Sequence, residues 1–306
     1  MLKINSHIPR SAGFTGNLQT CSLRSLRTVD ISCVPFIDFL YASSPRSLKN
    51  SNELKHKKMN KSLEMKTLIE EAYQLFVHPL GANLTDVCTE CCVSEEDEKL
   101  LIKTPVKNLS KELIYQYLDA AFSTQDGKEI VHFLPRVLEL LAEDEEIRHS
   151  TEITLDKCHF SKSHWSEKQL DFMHRFSVEL IKNLLKTPPE NCLDVVDSYI
   201  VMFDLAELPT AHLLTLWEEM AQEYPTAVEH FEKMMYYEVK SLEYYNKIFA
   251  EEPFREQMNQ WINNPKTAQK FSQAIEKHYF NNSITDEEMK QRWEILFSIL
   301  EQKAKS

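Results

Sequence analysis

The chain contains only four glycines among its 306 residues, and this scarcity restricts its fold more than any other feature of the sequence. Glycine adopts positive φ at little cost, so tight two-residue hairpins and phosphate-binding loops depend on it. Neither a Gly-rich nucleotide-binding motif nor the Gly-x-Ser-x-Gly elbow of hydrolases occurs in the sequence. The sequence therefore argues against all-β folds and against P-loop or Rossmann enzymes.

Apolar residues recur at intervals of three and four through most of the chain, which is the spacing of one buried helix face. Ser94, Ser110 and Ser166 each precede such a segment and are predicted N-caps, as is Asn264 ahead of Pro265. The pattern predicts an all-α fold of roughly ten amphipathic helices, whose short connections favour antiparallel hairpins. An irregular helical bundle and a HEAT- or TPR-like solenoid both fit, because no repeat of fixed period is found.

The charge is divided unevenly along the chain. Residues 1–58 hold nine basic and three acidic residues, a net +6, so residues 59–306 must carry −18 for the whole chain to reach −12. The Ser-rich basic segment 1–58 is open to three interpretations: an organellar transit peptide, a disordered arm, or an extension that the mature protein lacks. We favour the extension, because Met59 and Met65 each begin a helical pattern.

Prolines indicate where the helical part divides. Pro188-Pro189 separates two helical segments and predicts an N-terminal sub-bundle, residues 59–187, and a C-terminal sub-bundle, residues 188–306. Pro135 is expected to kink or restart the helix in which it lies. No stretch reaches the roughly 18 uninterrupted apolar residues that a membrane helix needs. We therefore expect a cytoplasmic protein without a membrane partner, organellar only if the basic segment is a transit peptide.

Cys88, Cys91 and Cys92 form the densest group of potential metal ligands, and Cys158 and His159 follow later in the chain. A Cys-x-x-Cys pair can place two thiolates on one zinc ion, and a Cys or His from another helix could complete a tetrahedral site. The second Cys-x-x-Cys of common zinc modules is missing, so the simpler interpretation is that these thiols pack as small apolar side chains. Iron binding or redox exchange at the same cysteines is the further alternative.

Two spacings resemble the Glu-x-x-His ligands of di-iron helical bundles. They are Glu146-x-x-His149 and, as a weaker match, Asp171-x-x-His174. Such spacings arise by chance in a chain with 47 acidic residues and 11 histidines. Exposed polar residues on amphipathic helices are the favoured interpretation, so we expect no cofactor apart from the zinc already considered.

Three motifs together resemble a group of uncharacterised bacterial all-helical proteins. They read CxxCCVS at 88–94, FLPRVLEL at 133–140 and HSTE at 149–152, and Trp165 follows them. The resemblance covers about the first half of the helical part and begins only after residue 59, which agrees with a foreign front segment. It implies an all-helical fold and brings no activity with it.

Two functions from different classes follow from these patterns. A charge of −18 on a helical fold without a catalytic motif favours a non-enzymatic interaction protein whose acidic surface binds a basic partner. An immunity protein or antitoxin that neutralises a basic nuclease would act in this way. The alternative is a zinc-binding, iron-binding or redox protein built on Cys88, Cys91 and Cys92. Nucleic acid is not expected as a partner of the acidic part, because like charges repel.

Overall fold

The computed structural model describes residues 61–90, 92–121, 128–235, 244, 248–281 and 286–306. These residues form eleven α-helices and no β-strand, which confirms the predicted all-α fold. None of the described helices is long and apolar enough to cross a membrane. In chain order the helices are α1 Leu63–Leu75, α2 Glu95–Lys103, α3 Lys111–Asp119, α4 Ile130–Ala142, α5 Glu167–Leu185, α6 Val196–Leu205, α7 Ala211–Glu223, α8 Pro225–Met235, α9 Glu252–Ile262, α10 Pro265–Phe280 and α11 Glu287–Ala304.

The predicted N-caps of α2, α3, α5 and α10 are confirmed. Ser94, Ser110 and Ser166 each accept a hydrogen bond from the backbone N–H three residues later. Asn264 accepts one from Lys266 at 2.9 Å, and Pro265 occupies the first helical position. A cap of this kind contributes about 1 kcal/mol, so local chemistry sets where α2, α3, α5 and α10 begin.

Helix α4 is the most buried element of the first half of the described chain. Ten of its thirteen residues are buried, and it packs against α1 and α3. The helix runs without interruption from Ile130 to Ala142, so it does not restart at Pro135, and the alternative, a kink, stays a prediction. Pro135 is itself buried among apolar neighbours, and this tertiary packing offsets the backbone hydrogen bond that its ring removes.

Helix α6 is buried to a similar extent in the second half of the described chain. Eight of its ten residues are buried, and it packs against α5 and against the short 3₁₀ turn Thr151–Ile153. Helix α5 contacts α1, α7 and α8, while α10 contacts α7, α8 and α11. The predicted boundary between residues 59–187 and 188–306 stays a prediction, and residues 1–58 lie outside the described part of the chain.

The scarcity of glycine has a direct structural consequence at the ends of α4 and α6. Both helices end in a Schellman motif, whose left-handed residue is usually glycine. In this protein the left-handed residues are Asp144, at φ 58°, and Glu207, at φ 66°. This conformation costs a non-glycine residue about 1–2 kcal/mol. The Asp144 carboxylate accepts hydrogen bonds from the Leu193 N–H and the Tyr199 hydroxyl, which offset that cost.

Candidate functional site

Cys88 and Cys92 lie in the loop region between α1 and α2, which is tied to the chain just after α3. The backbone N–H of Cys88 donates to the carbonyl of Ala121 at 2.8 Å, and the N–H of Val93 donates to the carbonyl of Cys88 at 3.2 Å. Cys88 is half-buried and Cys92 is exposed, whereas Cys91 lies outside the described residues. The first of these bonds anchors Cys88 to the chain after α3, and the second joins Val93 to Cys88 within the loop region.

A buried lysine, which the sequence did not single out, lies beside this loop. Lys157 is 1% exposed, and its Nζ donates to the carbonyl of Ala120, next to the residue that accepts from Cys88. Burial, followed by the charge of Arg148, lowers the pKa of Lys157 to about 8, while nearby acidic groups that include Cys92 oppose the shift. Cys92 is thus within electrostatic range of a buried amine.

The two other predicted ligands, although adjacent in sequence, have different surroundings. Cys158 is fully buried, and burial raises the pKa of its thiol well above the usual value. His159 is partly exposed, with a left-handed backbone at φ 45°, and its Nδ1 lies 2.8 Å from Oε1 of Glu207. Ser161 donates to the other oxygen of the same carboxylate. The fold therefore places the thiol in the core and the imidazole at the surface.

No three His, Cys, Asp or Glu side chains among the described residues are arranged to hold a metal ion. Because Cys91 is not one of those residues, the zinc or iron site at Cys88, Cys91, Cys92, Cys158 and His159 stays a prediction. The structure brings Lys157 to the carbonyl of Ala120, next to the residue that accepts from Cys88. That arrangement could not be read from the sequence, since a single lysine between Asp156 and Cys158 carries no distinctive pattern.

The histidines of the two Glu-x-x-His-like spacings have separate partners. His149 Nδ1 lies 2.6 Å from Oδ1 of Asp119, in a surface ion cluster that also contains Arg148. The ring of His174 lies against that of His212 on α7, with ring centroids 4.2 Å apart. Burial and the neighbouring His174 lower the pKa of His212. Each spacing therefore belongs to its own local cluster.

Several carboxylates are buried and serve as internal hydrogen-bond acceptors. In the Glu218 network, which consists of Glu218, Trp261, Thr267 and Lys270, the carboxylate accepts from all three partners at 2.7 Å. Glu129, before α4, accepts from Thr85 and Asp86. The net charge of the sequence predicts acidic residues at the surface, because composition does not distinguish a buried acceptor from an exposed charge.

Other carboxylates line surface grooves. The carboxylate groove lies between α8, α11 and the 3₁₀ turn Pro189–Asn191, has a volume of about 320 Å³, and contains three glutamates and two cations. Burial, then the charges of Glu190 and Glu232, raise the pKa of Glu229 in this groove. The residues that line the groove are Pro189, Glu190, Glu229, Glu232, Lys233, Met289 and Arg292.

Acidic residues exceed basic ones in four further grooves of the described surface as well. One of them, the aromatic groove between α10 and α11, has no cationic side chain in its lining. The net charge of the sequence predicted an acidic surface, but its distribution among grooves depends on the packing of the helices.

Comparison with known proteins found no relative: no family model, no curated protein and no solved structure matches this chain. The motif resemblance noted from the sequence therefore stays a prediction.

Proposed function

We propose that the protein is a non-enzymatic, acidic helical interaction protein that binds a basic protein partner. The observation that carries the proposal is the net charge of −18 on residues 59–306. Complementary potentials accelerate encounter and select the partner by its charge. A cytoplasmic immunity protein or antitoxin that neutralises a basic nuclease would have this kind of surface.

The grooves support this proposal more specifically than the net charge does. In the carboxylate groove Arg292 binds both Glu232, at 2.9 Å, and Glu288, at 3.1 Å, so its positive charge is shared between two acids. The raised pKa of Glu229 means that burial and neighbouring negative charge disfavour its ionised form. A lysine or arginine of a partner would relieve this repulsion, so binding there gains more than it would at an isolated surface acid.

The proposal predicts that binding weakens with salt and depends on the position of the acids. The chain should be used as bait in its own cell extract at low salt, and the captured protein identified, purified and titrated against the bait. We expect a basic partner whose affinity falls by about tenfold or more when salt rises from about 50 to about 500 mM. A partner with an acidic or neutral surface, or an affinity indifferent to salt, would contradict the proposal.

Matched pairs of charge variants test whether the position of the acidic residues affects partner binding. Glu190→Gln with Glu229→Gln removes two charges from the carboxylate groove, and Glu95→Gln with Glu96→Gln removes two exposed charges from α2. We expect the first pair to weaken partner binding more than the second. Equal losses would indicate that only total charge matters and that the groove has no particular role.

The metal or redox function remains a second candidate, because Cys88 hydrogen-bonds to the carbonyl of Ala121, next to the carbonyl to which the buried Lys157 donates. A deprotonated cysteine is the form that binds metals and attacks disulfides. Elemental analysis and thiol titration of the purified protein test this candidate. It predicts bound zinc or iron that is lost in Cys88→Ser and retained in the control Cys192→Ser, a buried thiol after α5. A metal-free protein with equally reactive thiols in both variants would exclude it.

We further infer that successive helices pair as antiparallel hairpins. Ser272, at the middle of α10, bonds Glu301, late in α11, and Tyr279, at the end of α10, bonds Glu294, at the middle of α11. These contacts support an antiparallel course for this pair. The irregular bundle and the HEAT- or TPR-like solenoid both stay predictions.

A further inference from the structure

The aromatic groove has a mainly apolar lining. It lies between α10 and α11 and has a volume of about 310 Å³, at the small end of the range for ligand pockets, ~300–1,000 Å³. The residues that line it are Ile275, Glu276, Tyr279, Phe280, Glu294, Phe297 and Ser298. Three of these side chains are aromatic, and aromatic side chains dominate the energetics of protein interfaces.

Large apolar side chains are exposed in and beside this groove. Phe280 lines it and is 75% exposed, and Ile295, which follows the lining residue Glu294 on α11, is 58% exposed. A single exposed apolar residue needs no explanation, whereas an exposed aromatic at the edge of an apolar groove is typical of an interaction surface. The groove therefore has the character of a docking surface for apolar side chains.

The charges in the groove limit what can dock there. Glu276 and Glu294 both line it, and no lysine or arginine does. Glu294 accepts a hydrogen bond from the Tyr279 hydroxyl at 2.6 Å, which holds one carboxylate beside the aromatic lining. An occupant with lysine or arginine next to its apolar residues would match this arrangement, and an acidic occupant would be repelled.

We propose that the aromatic groove binds an amphipathic helix of the basic partner, with apolar side chains inserted between α10 and α11 and basic side chains against Glu276 and Glu294. This inference rests on the proposed function and adds the place and the form of recognition. A helix presents residues i, i+3 and i+4 on one face, which is how helical ligands fill a groove between two helices. Its flanking basic residues lie within reach of acids on both walls.

The test uses a synthetic Leu/Lys peptide of about four helical turns, with the leucines on one face. A scrambled peptide has the same composition and charge but no apolar face. Binding of both to the full chain is measured by calorimetry at low and high salt. We expect the amphipathic peptide to bind about tenfold more tightly than the scrambled one, because only it can fill the groove.

Variants test whether the preference for the amphipathic peptide depends on the aromatic groove. Phe280→Ser should remove the tenfold preference, while the control Leu63→Ser, at an 82% exposed position on α1, should retain it. Glu276→Lys should weaken binding of the amphipathic peptide several-fold at low salt, and the matched change Glu70→Lys on α1 should have a smaller effect. Phe280 and Glu276 are exposed, so these variants are expected to fold.

The outcomes separate this inference from the proposed function. Equal, salt-sensitive binding of both peptides would overturn the groove inference and leave the acidic interaction protein standing. An absence of salt-sensitive binding to either peptide would count against both. If the chain self-associates in sedimentation experiments, and Phe280→Ser abolishes that association, the occupant is a second copy and the inference about a basic helix is wrong.

Discussion

Glu218 in its network and Glu229 in the carboxylate groove are both at least partly removed from water, yet their surroundings differ. Glu218 accepts from an indole, a hydroxyl and an ammonium group, each at 2.7 Å. In the carboxylate groove Arg292 pairs with Glu232, and burial and the charges of Glu190 and Glu232 raise the pKa of Glu229. The difference indicates that a glutamate with a full set of donors stabilises the fold, whereas one with too few is available to a partner.

The largest expected effect is on the Glu218 network. Glu218→Ala should lower the free energy of unfolding by about 4 kcal/mol, because Trp261 and Thr267 would keep buried donors without an acceptor. Denaturant unfolding followed by circular dichroism measures this. Glu218→Gln retains one acceptor oxygen, so its free energy of unfolding should fall by less. If Glu218→Ala lowers the free energy of unfolding by under ~1 kcal/mol, the proposed difference between the Glu218 network and the carboxylate groove is wrong.

The next effect concerns His230, which is on α8 like Glu229 but is fully buried. Its Nε2–H donates to the carbonyls of Leu184 and Thr187, and burial lowers its pKa to about 4. The unfolded chain takes up this proton near pH 6.5 and the folded chain only near pH 4. The contribution of neutral His230 is therefore present above pH 6.5 and is lost as the pH falls toward 4, by about 3 kcal/mol.

Urea unfolding at about pH 7 and about pH 4.5 measures this loss. His230→Gln retains an N–H donor but cannot titrate, so its stability should change less between the two pH values. Equal changes in the two proteins would contradict the assignment to His230.

A smaller effect of opposite sign is expected for Glu229. Because its pKa is raised in the folded state, its ionised form costs stability at neutral pH, and the cost disappears once the pH falls below the ordinary value of 4.5. Glu229→Gln should therefore raise the free energy of unfolding near pH 7, by less than ~1 kcal/mol, with no gain near pH 4. A loss of stability at pH 7 would indicate that Glu229 has an internal partner after all.

The smallest effect is expected at the rim of the carboxylate groove. Glu288 bonds Arg292 from a side chain that is 81% exposed, and such pairs contribute little because water screens them. Glu288→Ala should change the free energy of unfolding by less than ~0.5 kcal/mol. A loss above ~1 kcal/mol would place Glu288 among the structural acids, with Glu218.

The helices and their starts could be predicted from local patterns, because an N-cap such as Ser166 bonds a backbone group only three residues away. The continuity of α4 through Pro135 could not, because burial against distant helices overrides the local preference. The cysteine segment was visible in the sequence, yet Lys157 was not, since Lys157 and Cys88 bond to the adjacent carbonyls of Ala120 and Ala121 only because of how the chain folds back after α4. Recognition of the aromatic groove likewise required the packing of α10 against α11.

The sequence by itself determined the all-α class, through scarce glycine and helical periodicity, and the net negative charge of the part after residue 58. The net charge is a sum over residues and the helical class follows from a short-range pattern, so neither depends on which segments pack against each other. Only the tertiary structure decided which carboxylates acquire donors, as Glu218 does, and which remain in grooves, as Glu229 and Glu276 do. The reason is physical: hydrogen bonding and desolvation act over a few ångströms, between residues that the sequence places far apart.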